Sequence, residues 1–170
     1  MTAHTLAELT DRHDISGFRC GETSIDRYLA NEALSAQASG EARTHVWLGG
    51  AEPRVLGYFT IMPTMVEAKD LPRAAWIGRD KQIPGYLIAK LGLDQSLRRK
   101  GLGTDLLVDA LTTVVRAADA AGGRVIVVDT LQDNKVHDFY CAADFLPIDG
   151  TYRVWMKVST AREAVGPGPA

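Results

Sequence analysis

Leu91-Gly92-Leu93-Asp94-Gln95-Ser96-Leu97-Arg98-Arg99-Lys100-Gly101-Leu102-Gly103-Thr104 is the stretch on which the reading of this chain turns. It begins at the end of a nearly continuous apolar run, 86–93, of the kind a buried strand needs. It leads into the strongest helical pattern in the sequence, where Leu102, Leu106, Leu107, Ala110, Leu111, Val114 and Ala118 keep helical spacing until Gly122 and Gly123. A basic run and two glycines therefore occupy a strand–loop–helix turn. Glycines at 101 and 103 let backbone approach a ligand closely, and successive N–H groups at a helix N-terminus favour phosphate oxygens. Arg98, Arg99 and Lys100 place positive charge at the same point. No Gly-Lys-Ser/Thr follows, so the loop is not a Walker A loop. A dinucleotide fingerprint wants a third glycine where Leu106 stands.

Working outward, a helix is predicted over 25–38, with Ser24 as its cap, Ile25, Leu29, Ala33 and Ala36 as its apolar stripe and Gly40 as its stop. Two extended runs, 43–48 and 55–66, flank a turn at Gly49-Gly50-Ala51-Glu52-Pro53 and read as a hairpin. Pro63 and Pro72 open a loop-rich stretch that lasts to about Pro84. Behind the long helix come a short buried strand at 124–128, a helix capped by Asp133 that runs to Cys141, and a last strand in which Tyr152, Val154, Met156 and Val158 alternate. A hairpin in front and a β–α–β crossover behind predict one α/β domain of α+β mixed character, a central mixed sheet with helices on both faces. The domain is expected over 1–158, with 159–170 as a flexible tail ending in Val165-Gly166-Pro167-Gly168-Pro169-Ala170.

The chain of 170 residues is 46% apolar and 24% charged, a globular composition that excludes disorder over most of its length. No apolar run is long enough for a membrane span or a signal peptide. Cys20 and Cys141 form no CxxC pair, which excludes a disulfide framework and a cysteine zinc site and fits a reducing cytoplasm. His4, His13 and His45 have no ligand-spaced partners, so no metal is expected. Net charge is −2, yet the window 73–100 holds seven basic residues against Asp80 and Asp94, which makes it +5 and the remainder −7. Such a patch suits a bound anion or RNA; a solvated face is the alternative.

Arg98-x-x-Gly101-x-Gly103, together with Phe139-Tyr140-Cys141-Ala142-Ala143-Asp144-Phe145, resembles the two hallmark segments of the GNAT superfamily of acetyl-coenzyme A-dependent N-acetyltransferases. The family's glycine before the last phenylalanine is replaced here by Asp144, a residue type that tolerates a left-handed turn. Phe18-x-Cys20-Gly21, Ile25-Asp26-x-x-Leu29, Ala38-Ser39-Gly40, Arg43-Thr44, Gly57-Tyr58-Phe59-Thr60 and Ile83-Pro84 narrow the likeness to the acetyltransferase toxins of type II toxin–antitoxin systems, over roughly residues 15–158. The resemblance implies transfer of acetyl from acetyl-CoA to the α-amino group of aminoacyl-tRNA, blocking translation. It also implies a ribbon–helix–helix antitoxin as partner and a homodimer.

By the same resemblance, the backbone of Leu91, Gly92 and Leu93 holds the pantetheine arm and thioester oxygen. Arg98, Arg99, Lys100, Gly101, Leu102, Gly103 and Thr104 hold the pyrophosphate, and Tyr140 is the general acid. Arg73, Trp76, Arg79 and Lys81 form a candidate RNA-facing wall, for which a solvated insertion is the alternative; Trp47 and Trp155 read as packing residues. Two other functions stay open: a GNAT enzyme of a small amine or protein N-terminus, and a non-catalytic CoA-binding protein. His137 and Cys141, four apart on one helix face, are a rival nucleophile pair; the plainer reading makes Cys141 a small core residue.

Overall fold

A computed structural model describes residues 4–72 and 81–166. In chain order these form β1 (His4–Glu8), α1 (Thr23–Asn31), α2 (Ala33–Ala38), β2 (Arg43–Gly49), β3 (Val55–Glu67), a 3-10 turn (Ala68–Asp70) and β4 (Gln82–Leu93). A further 3-10 turn (Gln95–Leu97) precedes α3 (Leu102–Ala121), β5 (Val125–Asp129), α4 (Asn134–Ala142), β6 (Leu146–Pro147), β7 (Arg153–Lys157) and α5 (Val158–Val165). The strands make one seven-stranded sheet in the order β1-β2-β3-β4-β5-β7-β6. β1, β2 and β3 pair antiparallel, β4 and β5 pair parallel across the α3 crossover, and β7 pairs antiparallel with both β5 and β6. This is the mixed sheet that the hairpin and the crossover predict.

Several elements depart from the sequence expectation. β1 goes unread because its five residues follow a weak burial alternation, and only pairing with β2, from His4 opposite Gly49 to Glu8 opposite His45, defines it. The helix expected over 25–38 is two helices, parted at Glu32, whose backbone (φ −127°) leaves the helical region. Glu22, not Ser24, occupies the cap position, and the Ser24 hydroxyl donates to the Glu22 carboxylate at 3.2 Å. Gly40 does end the second helix, with φ 79°. β3 continues through Pro63 to Glu67, and β4 begins at Gln82, which shortens the expected loop. At the far end Val158 does not extend the last strand. Its N–H bonds the Arg124 carbonyl at 2.9 Å, and the chain turns into α5, which buries Val158 and Ala161 three residues apart. Ordered structure thus passes the boundary at 158.

The chain divides into two units, Met1–Met62 with Ala89–Val108 and Pro63–Ile88 with Asp109–Ala170. In the first, Leu9, Phe18, Cys20, Leu29, Ala33, Val46, Val55 and Tyr58 form the core. Phe18 meets Tyr58 edge-on at 5.5 Å, and the buried Tyr58 hydroxyl donates to the Ile25 carbonyl at 2.6 Å, so burial of this ring leaves no polar atom unsatisfied. In the second, Val66, Ala68, Leu71, Ile83, Val125, Val127, Ile148 and Trp155 pack together. β5 is buried from Val125 through Val128, as a central parallel strand requires.

Gly85 stands opposite Val125 in the parallel ladder, and a Cβ there would lie 2.4 Å from the Val125 carbonyl oxygen. Backbone cannot yield as a flexible side chain can. Gly85→Ala is therefore expected to cost about 2–3 kcal/mol, read as a lowered urea midpoint at unchanged slope.

Candidate active site

In the first unit the decisive stretch is built around Asp94. The strand ends at Leu93, and Asp94, buried to 4% exposure, folds its carboxylate back onto two segments. One oxygen accepts from the Arg19 N–H at 3.0 Å; the other accepts from the Ser96 N–H at 3.0 Å and the Ser96 hydroxyl at 2.7 Å, with Arg54 at 3.8 Å. Burial alone would raise its pKa, but the hydrogen bonds from Arg19 and Ser96 and the Arg54 charge outweigh it, and the pKa is lowered. Asp94 thereby caps the 3-10 turn Gln95–Leu97, while Gln95 N–H bonds the Arg19 carbonyl at 2.8 Å.

The turn before α1 is thus zipped to the start of the basic loop. Gly92 makes room for that turn, since a Cβ there would come within 2.7 Å of Ile25. The Arg98 guanidinium donates to the Cys20 carbonyl and lies against Gly21. Arg98 is exposed in this arrangement, as are Arg99 and Lys100.

The loop then takes two left-handed steps, Arg99 at φ 63° and Gly101 at φ 73°, before α3 begins at Leu102. Left-handed steps of this kind are the backbone feature from which anion-binding nests are built, and here they lead into a helix N-terminus. A Cβ on Gly101 would meet nothing within 4 Å, so the need for glycine there is conformational and the space beside it is open. Open space and the exposed cations Arg99 and Lys100 suit a pyrophosphate, while Arg98 is held by the Cys20 carbonyl. Residues 99–104 fit that group as they stand, and Arg98 would have to leave the Cys20 carbonyl to join them.

In the second unit the registered pairs of β4 with β5 are Gly85, Tyr86 and Leu87 with Val125, Ile126 and Val127; Leu91, Gly92 and Leu93 come after the last of these pairs. Downstream of β5, Asp133 caps α4 by accepting from the N–H groups of Lys135 and Val136 at 2.9 and 3.3 Å, as its position in the sequence predicts. The helix presents Tyr140, 4% exposed, edge-on to Phe139 and Phe145 at 5.2 and 5.4 Å. Burial raises the phenol pKa above its ordinary value, so Tyr140 holds its proton throughout the neutral range.

The helix ends in a Schellman pair: Phe145 N–H to the Tyr140 carbonyl at 3.1 Å and Asp144 N–H to the Cys141 carbonyl at 3.1 Å. Asp144 sits at the left-handed position with φ 71°, which is where the family's glycine is replaced.

The rival pair does meet, with Cys141 Sγ 3.7 Å from His137 Nδ1. Burial, and then the nearby Asp138 carboxylate, raise the thiol pKa, the opposite of what a nucleophile needs. Lys81 is exposed just before β4, whereas Arg73, Trp76 and Arg79 lie outside the described residues. Among the described residues no group of three or more His, Cys, Asp or Glu side chains could hold a metal ion, and no helix is long and apolar enough to cross a membrane. Asp94 was not singled out as a site residue in the sequence. The available signal was Asp followed two places on by Ser, the pattern of an Asx turn.

No family model matches the chain. A tRNA-acetylating toxin of Mycobacterium tuberculosis (strain ATCC 25618 / H37Rv) is 33% identical over 160 residues, which span 93% of this chain and 94% of that protein. The chain belongs to the tRNA-acetylating toxin family. A probable toxin TacT of Sinorhizobium fredii (strain NBRC 101917 / NGR234) is 27% identical to this tRNA-acetylating toxin homologue, over 92% of this chain and 91% of its own length. The fold agrees with that of solved relatives. AtaT complexed with acetyl-methionyl-tRNAfMet superposes with a TM-score of 0.85 at 25% identity, covering 96% of this chain and 100% of that one. A tyrosine-to-phenylalanine mutant of KacT superposes with a TM-score of 0.87 at 22% identity, over 95% of this chain and 98% of that one. AtaTR bound with acetyl-CoA superposes at 0.84 and 25% identity, over 96% and 98%.

Proposed function

We propose that this protein transfers acetyl from acetyl-CoA to the α-amino group of aminoacyl-tRNA in the cytoplasm, and so acts as a translation-blocking toxin. The observation that carries the reading is the match along nearly the whole chain to a tRNA-acetylating toxin, on a fold whose basic loop, left-handed at Arg99 and Gly101, leads into the start of α3. The solved relatives support the same substrates: AtaT carries acetyl-methionyl-tRNA, and AtaTR carries acetyl-CoA.

Bound acetyl-CoA supplies an activated acetyl thioester. The N–H groups of residues 99–104 hold its pyrophosphate with Arg99 and Lys100, and the backbone of Leu91, Gly92 and Leu93 orients its arm and polarises the carbonyl. The amine forms the new C–N bond as the C–S bond breaks. Tyr140 gives its phenolic proton to the departing sulfur, and the proton released from the amine restores the phenol by way of solvent. An α-amino group near ~7.8 needs little help from a base, whereas a lysine amine near ~10.4 needs much more.

Relatives also appear with antitoxins, AtaT with the C-terminus of AtaR and KacT in a complex with its antitoxin and DNA. A neutralising antitoxin of ribbon–helix–helix type and a homodimeric toxin complete the proposal. The reading is tested by incubating the protein with labelled acetyl-CoA and a mixed pool of charged tRNA, with uncharged tRNA and polyamines as controls. Label in charged tRNA alone is expected. Label in polyamines alone would make this a small-amine acetyltransferase, and binding without transfer would make it a coenzyme A-binding protein.

A further inference from the structure

Three ties join the basic loop to the turn that enters α1, and they differ in what they hold. The Asp94 carboxylate accepts from the Arg19 N–H, and the Gln95 N–H bonds the Arg19 carbonyl, so two of them settle on one residue. The Arg98 guanidinium reaches one residue further and donates to the Cys20 carbonyl, 78 positions away in sequence. Its seat is shaped for it. Gly21 has φ 94°, and a Cβ there would lie 2.5 Å from the guanidinium nitrogen Nη2. Glycine at 21 therefore serves both the left-handed backbone and the room that the guanidinium fills.

The start of α1 gains from such a hold. Its cap position, Glu22, supplies no side-chain hydrogen bond, while Asp26, from within the helix, accepts from the Cys20 N–H at 2.9 Å. The turn and the first turn of α1 are thus linked into one piece, 20–26. That piece lies on the strand whose backbone orients the thioester. A Cβ on Gly92 would come within 2.7 Å of Ile25, 3.4 Å of Phe18 and 3.5 Å of Cys20. Whatever fixes Cys20 therefore fixes the layer packed directly against Gly92.

We infer that Arg98 is a positioning residue for acetyl transfer, which stays on the Cys20 carbonyl when acetyl-CoA is bound and leaves the pyrophosphate to Arg99, Lys100 and the loop N–H groups. The inference rests on the reading of 99–104 as the coenzyme loop and divides the labour within its basic run. Arg98 places a charge-assisted bond on a backbone carbonyl. Withdrawing it would strip that donor from Cys20, a residue only 6% exposed. Arg99 and Lys100 are exposed and the second follows a left-handed step, so both are free to turn toward phosphate without undoing that bond. Asp94 and Gln95 keep the loop in place by themselves. Loss of Arg98 thus loosens 20–26 over Gly92, and a small misplacement at the reacting atoms costs rate before it costs coenzyme affinity.

The test compares Arg98→Ala, Arg98→Lys and Lys100→Ala with wild type, each as the full chain. In calorimetric titration with acetyl-CoA over a series of KCl concentrations, Arg98→Ala is expected to stay within about threefold of wild type with the same salt dependence, whereas Lys100→Ala loses affinity and flattens that dependence. Amide exchange over 20–26 should quicken about tenfold or more in Arg98→Ala, with and without acetyl-CoA. In turnover with charged tRNA, kcat should fall roughly 10- to 100-fold at unchanged KM for acetyl-CoA. Arg98→Lys keeps a donor for the carbonyl and should recover most of the exchange protection and of kcat. Weaker acetyl-CoA binding with a flattened salt dependence in Arg98→Ala, or unchanged exchange over 20–26, overturns the inference. Quickened exchange at unchanged acetyl-CoA affinity, in a protein whose wild type transfers nothing to charged tRNA, would uphold the placement of Arg98 and overturn the acetylation reading instead.

Discussion

Tyr140→Phe is expected to lower kcat about 10²- to 10⁴-fold while leaving the affinity for acetyl-CoA within a factor of a few. The substitution removes one oxygen and keeps the ring, so the edge-on contacts with Phe139 and Phe145 survive and the variant should unfold at the wild-type midpoint. Its defect would therefore be chemical. The pH profile gives a second check. Burial holds the Tyr140 phenol above its ordinary pKa of 10.0, so the acid stays loaded well past neutrality and no alkaline fall from its ionisation is expected near pH 9. The rising limb instead follows deprotonation of the acceptor's α-amino group near ~7.8, after which kcat/KM levels off. Steady-state rates across that range, for wild type and variant, measure both effects.

Asp94→Ala should be the most damaging substitution in the basic loop, costing about 3 kcal/mol or more in urea unfolding. It removes the acceptor for the Arg19 N–H, the Ser96 N–H and the Ser96 hydroxyl, and takes away the charge facing Arg54. Backbone donors left without a partner in a part-buried place cost more than the bonds themselves contribute. The effect has a definite pH dependence. The folded-state pKa of Asp94 lies below its ordinary value of 3.8, so its contribution is complete above that value and disappears as pH falls through the lowered one. The stability gap between wild type and variant should accordingly be constant near neutrality and close in strong acid. Because Asp94 caps the turn that leads into the basic loop, the affinity for acetyl-CoA should fall as well.

Periodicity made the middle of the fold legible. The long helix α3, the buried run of β4, the cap at Asp133 and the stop at Gly40 each rest on a local signal strong enough to survive folding: spacing, a capping carboxylate, or a residue that accepts left-handed backbone. β1 and α5 had no such signal. Each becomes regular through partners distant in sequence, β1 by lying along β2 and α5 by docking from the Arg124 carbonyl onward. The break at Glu32 was hidden because Leu29 and Ala33 keep helical spacing across it.

The site shows the same division. The glycines, the basic run and Tyr140 stand out in the sequence because their chemistry is unusual for their places. The tie between Asp94 and Arg19 spans 75 residues, and that between Arg98 and Cys20 spans 78. Long-range hydrogen bonds are properties of the folded chain alone.

The most direct test of the account is the chemical position of the transferred acetyl group. Charged tRNA would be incubated with the protein and acetyl-CoA and digested with ribonuclease, and the aminoacyl-adenosine released from the 3′ end analysed by fragmentation mass spectrometry. The account predicts acetyl on the α-amino nitrogen of that fragment with wild type and almost none with Tyr140→Phe. Acetyl on the ribose or a base, or equal α-amino acetylation by the phenylalanine variant, would contradict it.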